Sequence, residues 1–169
     1  RPGRTGSAPL FDHLMFEAPD HHNSGYSPPL QRAGALLNGS TNTDRTNYWE
    51  VVPTSAVDLA LWMESDRMGY LLPALTRERF ETQRDVVLNE RRQNYENRPY
   101  GLAVMAIADA MFPPDHPYHW MTIGAAADIR AMQFEDVQAF FRTYYHPANA
   151  SLVLAGAIET ERAFELAET

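Results

Sequence analysis

The chain has 169 residues, of which 44% are hydrophobic and 21% charged, with a formal net charge of −8 at neutral pH. That is the profile of a soluble globular domain long enough to bury a core, and its acidity disfavours nucleic acid, whose phosphates need clustered Lys and Arg. The absence of cysteine excludes disulfides, thiolate catalysis and Cys-based zinc sites, and no apolar run approaches the roughly 20 residues of a membrane-spanning helix.

The chain opens on Arg1-Pro2-Gly3 without an initiator Met, so a leader and part of the domain are expected to precede it. Ser7 is the expected N-cap of a first helix, with Pro9 in its first turn, where a missing N–H costs little. Residues 19–29 (PDHHNSGYSPP) read as a loop, and a brief helix is expected from Leu30 to Ala33. Residues 35–41 (ALLNGST) and 45–52 (RTNYWEVV) read as two strands, joined by the turn-prone Asn42, Thr43 and Asp44.

Thr54 or Ser55 is expected to cap a helix to about Met68, with Val57, Leu61 and Met68 on its apolar face. A longer helix fits Thr76 to Asn97, taking Phe80, Val87 and Tyr95 as apolar positions, and Pro99 limits its extension. Leu102–Met111 reads as a further helix and the Pro-rich residues 112–122 as a surface loop. Helices suit residues 125–131 and 133–145. Residues 151–155 (SLVLA) read as a buried strand, and residues 160–168 as a last helix.

Helices outweigh strands and do not alternate with them regularly, so the expected fold class is α+β, an antiparallel sheet packed with several helices. Three strands are few for so many helices. The expectation is therefore one partial domain, residues 1–169, truncated at the N-terminus so that one or two strands are missing.

His13, near the end of the first helix, and Glu90, inside the long helix, are the informative pair, since both residue types ligate zinc. Spacing alone does not separate a metal pair from two ordinary helical residues. The segments around them do more. Residues 3–17 (GRTGSAPLFDHLMFE) resemble the zinc-binding helix of pitrilysin/insulinase-family peptidases, whose inverted motif is H-x-x-E-H. LNGSTNTDRTNYWEVVP, LALWMESDRMG, DVVLNERRQNYENRPYG and FFRTYYHPANASLVLAG resemble the bacterial, processing-peptidase-like members, so the likeness covers nearly the whole chain. The family's third ligand is a Glu about 76 residues past its second His, and 76 residues separate His13 from Glu90 here.

The resemblance implies an N-terminal domain of the mitochondrial-processing-peptidase type whose motif is degenerate. Pro9 falls where the first ligand belongs and Asp12 where the general-base Glu belongs, while His13 and Glu90 keep the other two ligand places. A catalytic zinc needs three protein ligands and an open position for water. No cofactor is therefore expected as the chain stands, although intact members bind zinc. His21 and His22 lie just beyond the helix, and neighbouring loop histidines are by default solvent-exposed bystanders. His116, His119 and His146 read as loop or packing residues.

The strand matching Leu36–Thr41 takes up substrate backbone by strand addition in this family, which makes Asn38, Ser40 and Thr41 candidates for peptide contact. Asn38 and Gly39, with Asn42, serve equally well simply to shape the hairpin. Arg45, Asn47, Arg67, Arg91 and Arg92 match family positions but read as packed salt-bridge residues. The expected role is an inactive zinc-metallopeptidase homologue that binds a peptide or a second homologous domain or subunit. The alternatives are an active zinc metalloendopeptidase with an unusual ligand set, and a purely structural assembly piece. Bacterial members are often exported, so the resemblance implies a periplasmic location.

Overall fold

The computed structural model describes residues 3–17 and 25–168. Eight helices and one hairpin are described: α1 (Ser7–Leu14), α2 (Ser27–Arg32), β1 (Leu36–Thr41), β2 (Thr46–Val51), α3 (Val57–Ala74), α4 (Arg77–Arg91), α5 (Ala103–Met111), α6 (Ala126–Ala131), α7 (Phe134–Tyr144) and α8 (Thr160–Glu168). The α+β class holds, with a sheet that is only the β1–β2 pair among the described residues.

The chain groups into two compact units. One takes Arg1–Leu14, Gly39–Asn47 and Thr76–Phe140, so far as described; the other takes Met15–Asn38, Tyr48–Leu75 and Phe141–Thr169, likewise.

In the first unit α1 buries Pro9, Leu10, Phe11 and Leu14 and packs on α4, which buries Phe80, Val87 and Leu88. The helix opens at Gly6, whose carbonyl accepts the Leu10 N–H at 3.3 Å. Ser7 is not the cap expected of it: its hydroxyl donates to the Arg4 carbonyl at 2.9 Å. Thr76 caps α4, accepting the Arg79 N–H at 3.2 Å.

Ahead of α1, Thr5 is buried and ties the chain to α6. Its N–H and hydroxyl both donate to Asp128 Oδ2, at 3.0 and 2.6 Å, and its hydroxyl oxygen accepts the Ala125 N–H at 2.8 Å. This approach is so close that two glycines are required. A Cβ on Gly124 would stand 2.4 Å from the Gly6 nitrogen, and one on Gly6 would stand 2.9 Å from both the Ile123 carbonyl oxygen and Ile129 Cγ1.

The second unit is built on α3, whose buried stripe is Ala60, Met63, Asp66, Arg67 and Leu71. The expected face of Val57, Leu61 and Met68 is only half-buried. The displacement has a physical cause: the stripe centres on a charged residue, Arg67, which apolar periodicity does not count. Tyr26, Leu30, Ala35, Ala60 and Met63 form the core cluster, with Phe16, Leu37, Val52 and Leu59 packed against it.

Other boundaries move as well. Helix α2 begins at Ser27, three residues early, because Pro28 and Pro29 occupy the first helical positions where proline is pre-organised. A 3-10 turn over Thr54–Ala56 precedes α3, and no side chain caps its start. The helix runs on past Met68 to Ala74. The long helix ends as a π-helical turn over Arg92–Glu96.

The largest correction concerns residues 151–155. They form no strand, and Leu152 and Val153 are 58% and 82% exposed. Composition favours a strand there, but strand character needs a neighbour to receive its hydrogen bonds and side chains, and no strand pairs with it among the described residues.

Gly6 has φ of +84° and Gly69, inside α3, meets nothing within 4 Å. Gly6→Ala is expected to cost at least about 2 kcal/mol through backbone strain and overpacking. Gly69→Ala is expected to gain about 0.5–1 kcal/mol from helix propensity. Denaturant unfolding of the two variants checks both signs.

Candidate metal centre

One turn of α1 places residues 9, 12 and 13 along the same flank, because positions three and four apart face together on a helix. Of these, His13 reaches α4: its Nε2 lies 3.2 Å from Glu90 Oε2. Asn94, one turn on, donates to Glu90 Oε1 at 3.4 Å. Both carboxylate oxygens thus have partners. The two side chains are 34% and 39% exposed, at the rim of the helix pair rather than in its core.

Two ligands of a tetrahedral zinc stand roughly 3.4 Å apart, given Zn–N and Zn–O bonds of about 2.0–2.2 Å. The observed spacing therefore serves an ion pair or a metal alike, and the donor set has to decide. Pro9 is buried and carries no side-chain donor atom. Among the described residues no group of three His, Cys, Asp or Glu side chains converges. The residues described do not fit a three-ligand zinc.

Asp12 faces the hairpin. Thr41 Oγ1 donates to Asp12 Oδ2 at 3.1 Å and lies 3.2 Å from Thr46 Oγ1. A hydroxyl has one proton, so Thr46 must donate to Thr41 as Thr41 donates to Asp12. Asp12 Oδ2 thus ends this short relay.

The hairpin closes through the Asn42 N–H donating to the Arg45 carbonyl at 2.9 Å, and Asn42 Oδ1 accepts the backbone N–H groups of Asp44 and Arg45, each at 2.9 Å. Along β1 the exposed residues alternate, so Asn38 and Ser40 share the exposed face while Thr41 is turned inward. Ser40 Oγ accepts from Arg45 Nη1 at 3.2 Å. The three candidate peptide contacts therefore do not form one face.

The remaining candidates divide clearly. Arg91 bonds Glu96 at 3.0 Å and the Gly124 carbonyl at 2.5 Å, and Arg92 donates to Asn89 at 2.7 Å. Arg67 is ion-paired with Glu64 and 1% exposed. His116 stacks on Phe112, and His119 bridges the Phe112 carbonyl at 2.8 Å and Asp109 at 3.0 Å. His21 and His22 lie outside the described residues. Asn94 and Thr46, which hold Glu90 and Thr41, were not singled out from sequence. The i,i+4 spacing from Glu90 could have found Asn94; nothing local marks Thr46.

The hydrogen bond with Glu90 raises the His13 pKa above its ordinary 6.5 against the opposing effect of burial, and the same bond lowers Glu90 below 4.5. The His13 contribution to stability is full below pH 6.5 and lost as pH rises through its raised value. The Glu90 contribution is full above pH 4.5 and lost as pH falls through its lowered value. The pair is thus strongest between these limits. Because both groups are a third or more exposed, a double-mutant cycle with His13→Gln and Glu90→Gln is expected to give less than about 1 kcal/mol of coupling, fading above and below that window.

The chain is similar to known proteins in sequence and in fold. The family profile described as "Peptidase M16 inactive domain" matches residues 131–169. The zinc protease PqqE of Helicobacter pylori is 30% identical over 167 residues, which is 98% of this chain and 37% of that protein. The crystal structure of a protease from Helicobacter pylori superposes with a TM-score of 0.92 at 31% identity, covering 98% of this chain and 39% of that one. The periplasmic protease PqqL from Escherichia coli has the same fold, with a TM-score of 0.84 at 16% identity over 98% of this chain and 19% of that one. The chain thus spans under two-fifths of the length of these relatives. By sequence and by fold it is homologous to the M16 peptidases, the pitrilysin/insulinase family.

Proposed function

We propose that this chain is an inactive zinc-peptidase domain that binds an extended polypeptide or a second M16 domain without hydrolysing it. The observation that carries this reading is the flank of α1, where Pro9, Asp12 and His13 stand together and only His13 reaches Glu90. With Pro9 in the first ligand's place, two donors remain where catalytic zinc needs three. Outer-shell changes alone cost about 10–100-fold in metal affinity or activity, so losing a ligand costs more.

Asp12 in the place of the general base is one methylene short, which draws its carboxylate back by roughly 1.5 Å, and misplacement by about 1 Å costs on the order of 10²-fold in rate. Its bond to Thr41 draws it further into the hairpin. The two changes act on one water, removing its activation and its base together.

The β1 edge supports polypeptide binding, since β1 pairs only with β2 among the described residues and strand addition uses an exposed sheet edge. A second homologous domain is supported by the share of its relatives that the chain spans. Nucleic acid is disfavoured by the charge of −8, and no helix among the described residues is long and apolar enough to cross a membrane. A periplasmic location rests on the likeness to periplasmic PqqL.

Elemental analysis of freshly purified protein is expected to give well under one zinc per chain. Pro9→His combined with Asp12→Glu is expected to raise this toward one and to make thermal stability rise with added zinc. A fluorescein-labelled extended peptide should be bound by the unmodified chain and recovered intact. One tightly held zinc in the unmodified chain, or cleavage of that peptide, defeats the proposal in favour of an active metallopeptidase.

A further inference from the structure

In the second unit, three side chains distant in sequence meet at one phenol. The Tyr26 hydroxyl is hydrogen-bonded to Glu50 on β2, and it lies 3.0 Å from Glu64 Oε1 on α3. Arg67, one turn along α3, donates from Nε to Glu64 Oε2 at 3.1 Å and pairs with Oε1 through Nη2. Its guanidinium is buried, with its centre 4.1 Å from the Tyr26 ring centroid and 4.4 Å from that of Tyr48.

A phenol carries a single proton and can donate only one hydrogen bond. Two ionised carboxylates within bonding distance of the same phenol oxygen would leave one of them facing a lone pair. The contact is satisfied when one carboxyl is itself protonated and donates to the phenol. Glu64 already takes a two-pronged, charge-assisted pairing from Arg67, so the proton belongs to Glu50. The order of donation is then Glu50 to Tyr26, Tyr26 to Glu64, and Arg67 to Glu64 from the other side.

We propose that Glu50 is a proton-binding site which, when occupied, fastens β2 to α3 through Tyr26, and which loss of that proton unfastens. The reading is independent of whether the chain binds zinc or peptide. The groups facing Glu50 are Tyr26 ahead of α2 and Glu64 and Arg67 on α3, with Tyr48 of β2 against the far side of Arg67. Burial, reinforced by the Glu64 charge, pushes the Glu50 carboxyl up from 4.5 to about 7, against Arg67 and against the hydrogen bond that the ionised carboxylate would accept from Tyr26. Burial, with the two neighbouring carboxylates and against Arg67, also raises the Tyr26 phenol well above its ordinary 10.0, so Tyr26 keeps its own proton throughout.

A carboxyl whose folded pKa is raised contributes stability that is full below the unfolded value and lost as pH rises through the folded one. For Glu50 this window runs from about 4.5 to about 7. Thermal and denaturant unfolding of the chain and of Glu50→Gln, from about pH 5 to about pH 8.5, tests the proposal. The Gln amide keeps a donor for Tyr26 and has no proton to lose. Relative to Glu50→Gln, the folding equilibrium constant of the unmodified chain is expected to fall on the order of 10²-fold across that range. Changes at His13 and Glu90 are common to both proteins and cancel. Parallel pH profiles overturn the proposal.

Infrared spectroscopy of the unmodified chain decides the matter even if the variant does not fold. The C=O stretch of a protonated carboxylic acid is expected at about pH 6 and should vanish by about pH 8.5; its absence at the lower pH overturns the assignment.

Discussion

The seating of α1 against α4 is the constraint from which the rest of the candidate site follows. A helix of eight residues is too short to persist in water by itself, so its conformation and its rotation are set by what it buries. Leu10, Phe11 and Leu14 are each 1% exposed or less. At about 1.5–3 kcal/mol for each fully buried side chain, their burial far outweighs the weak ion pair at the rim. Packing of the apolar face therefore positions His13 beside Glu90. The ion pair is a consequence of that packing rather than its cause.

The junction ahead of α1 fixes its other coordinate. Thr5 spends its N–H, its hydroxyl proton and its oxygen on Asp128 and Ala125, and Gly6 and Gly124 allow the two backbones to approach where no side chain fits. Arg91 completes the arrangement by holding the Gly124 carbonyl from α4. The same helix that carries Glu90 thus anchors the loop against which α1 begins.

The second unit handles buried charge differently. Arg67 is almost wholly enclosed, yet its charge is matched by Glu64 and its planar faces meet the rings of Tyr26 and Tyr48. A guanidinium tolerates this better than an ammonium because it is weakly hydrated and stacks on aromatic faces. The second carboxylate, Glu50, shares that one guanidinium with Glu64. Protonation relieves the excess negative charge at lower cost than burying a second ionised carboxylate.

The sequence by itself determined the hairpin, most of the helices, the family and the pairing of His13 with Glu90, because each leaves a local or family-wide trace. Turn residues at Asn42–Asp44, a helix starting near Thr76 and the spacing from His13 to Glu90 are legible without coordinates. Only the tertiary structure decided that Thr41 turns inward to Asp12 while Asn38 and Ser40 face outward, because strand alternation is assigned by what packs on each face. It also decided that the SLVLA segment, a strand by composition, has no strand partner among the described residues, since a strand is a relation between two segments and not a property of one. The buried stripe of α3 escaped periodicity because its centre is Arg67. Tyr26, Glu50 and Glu64 met unannounced because they stand 24 and 38 residues apart along the chain, a separation at which sequence carries no geometric signal.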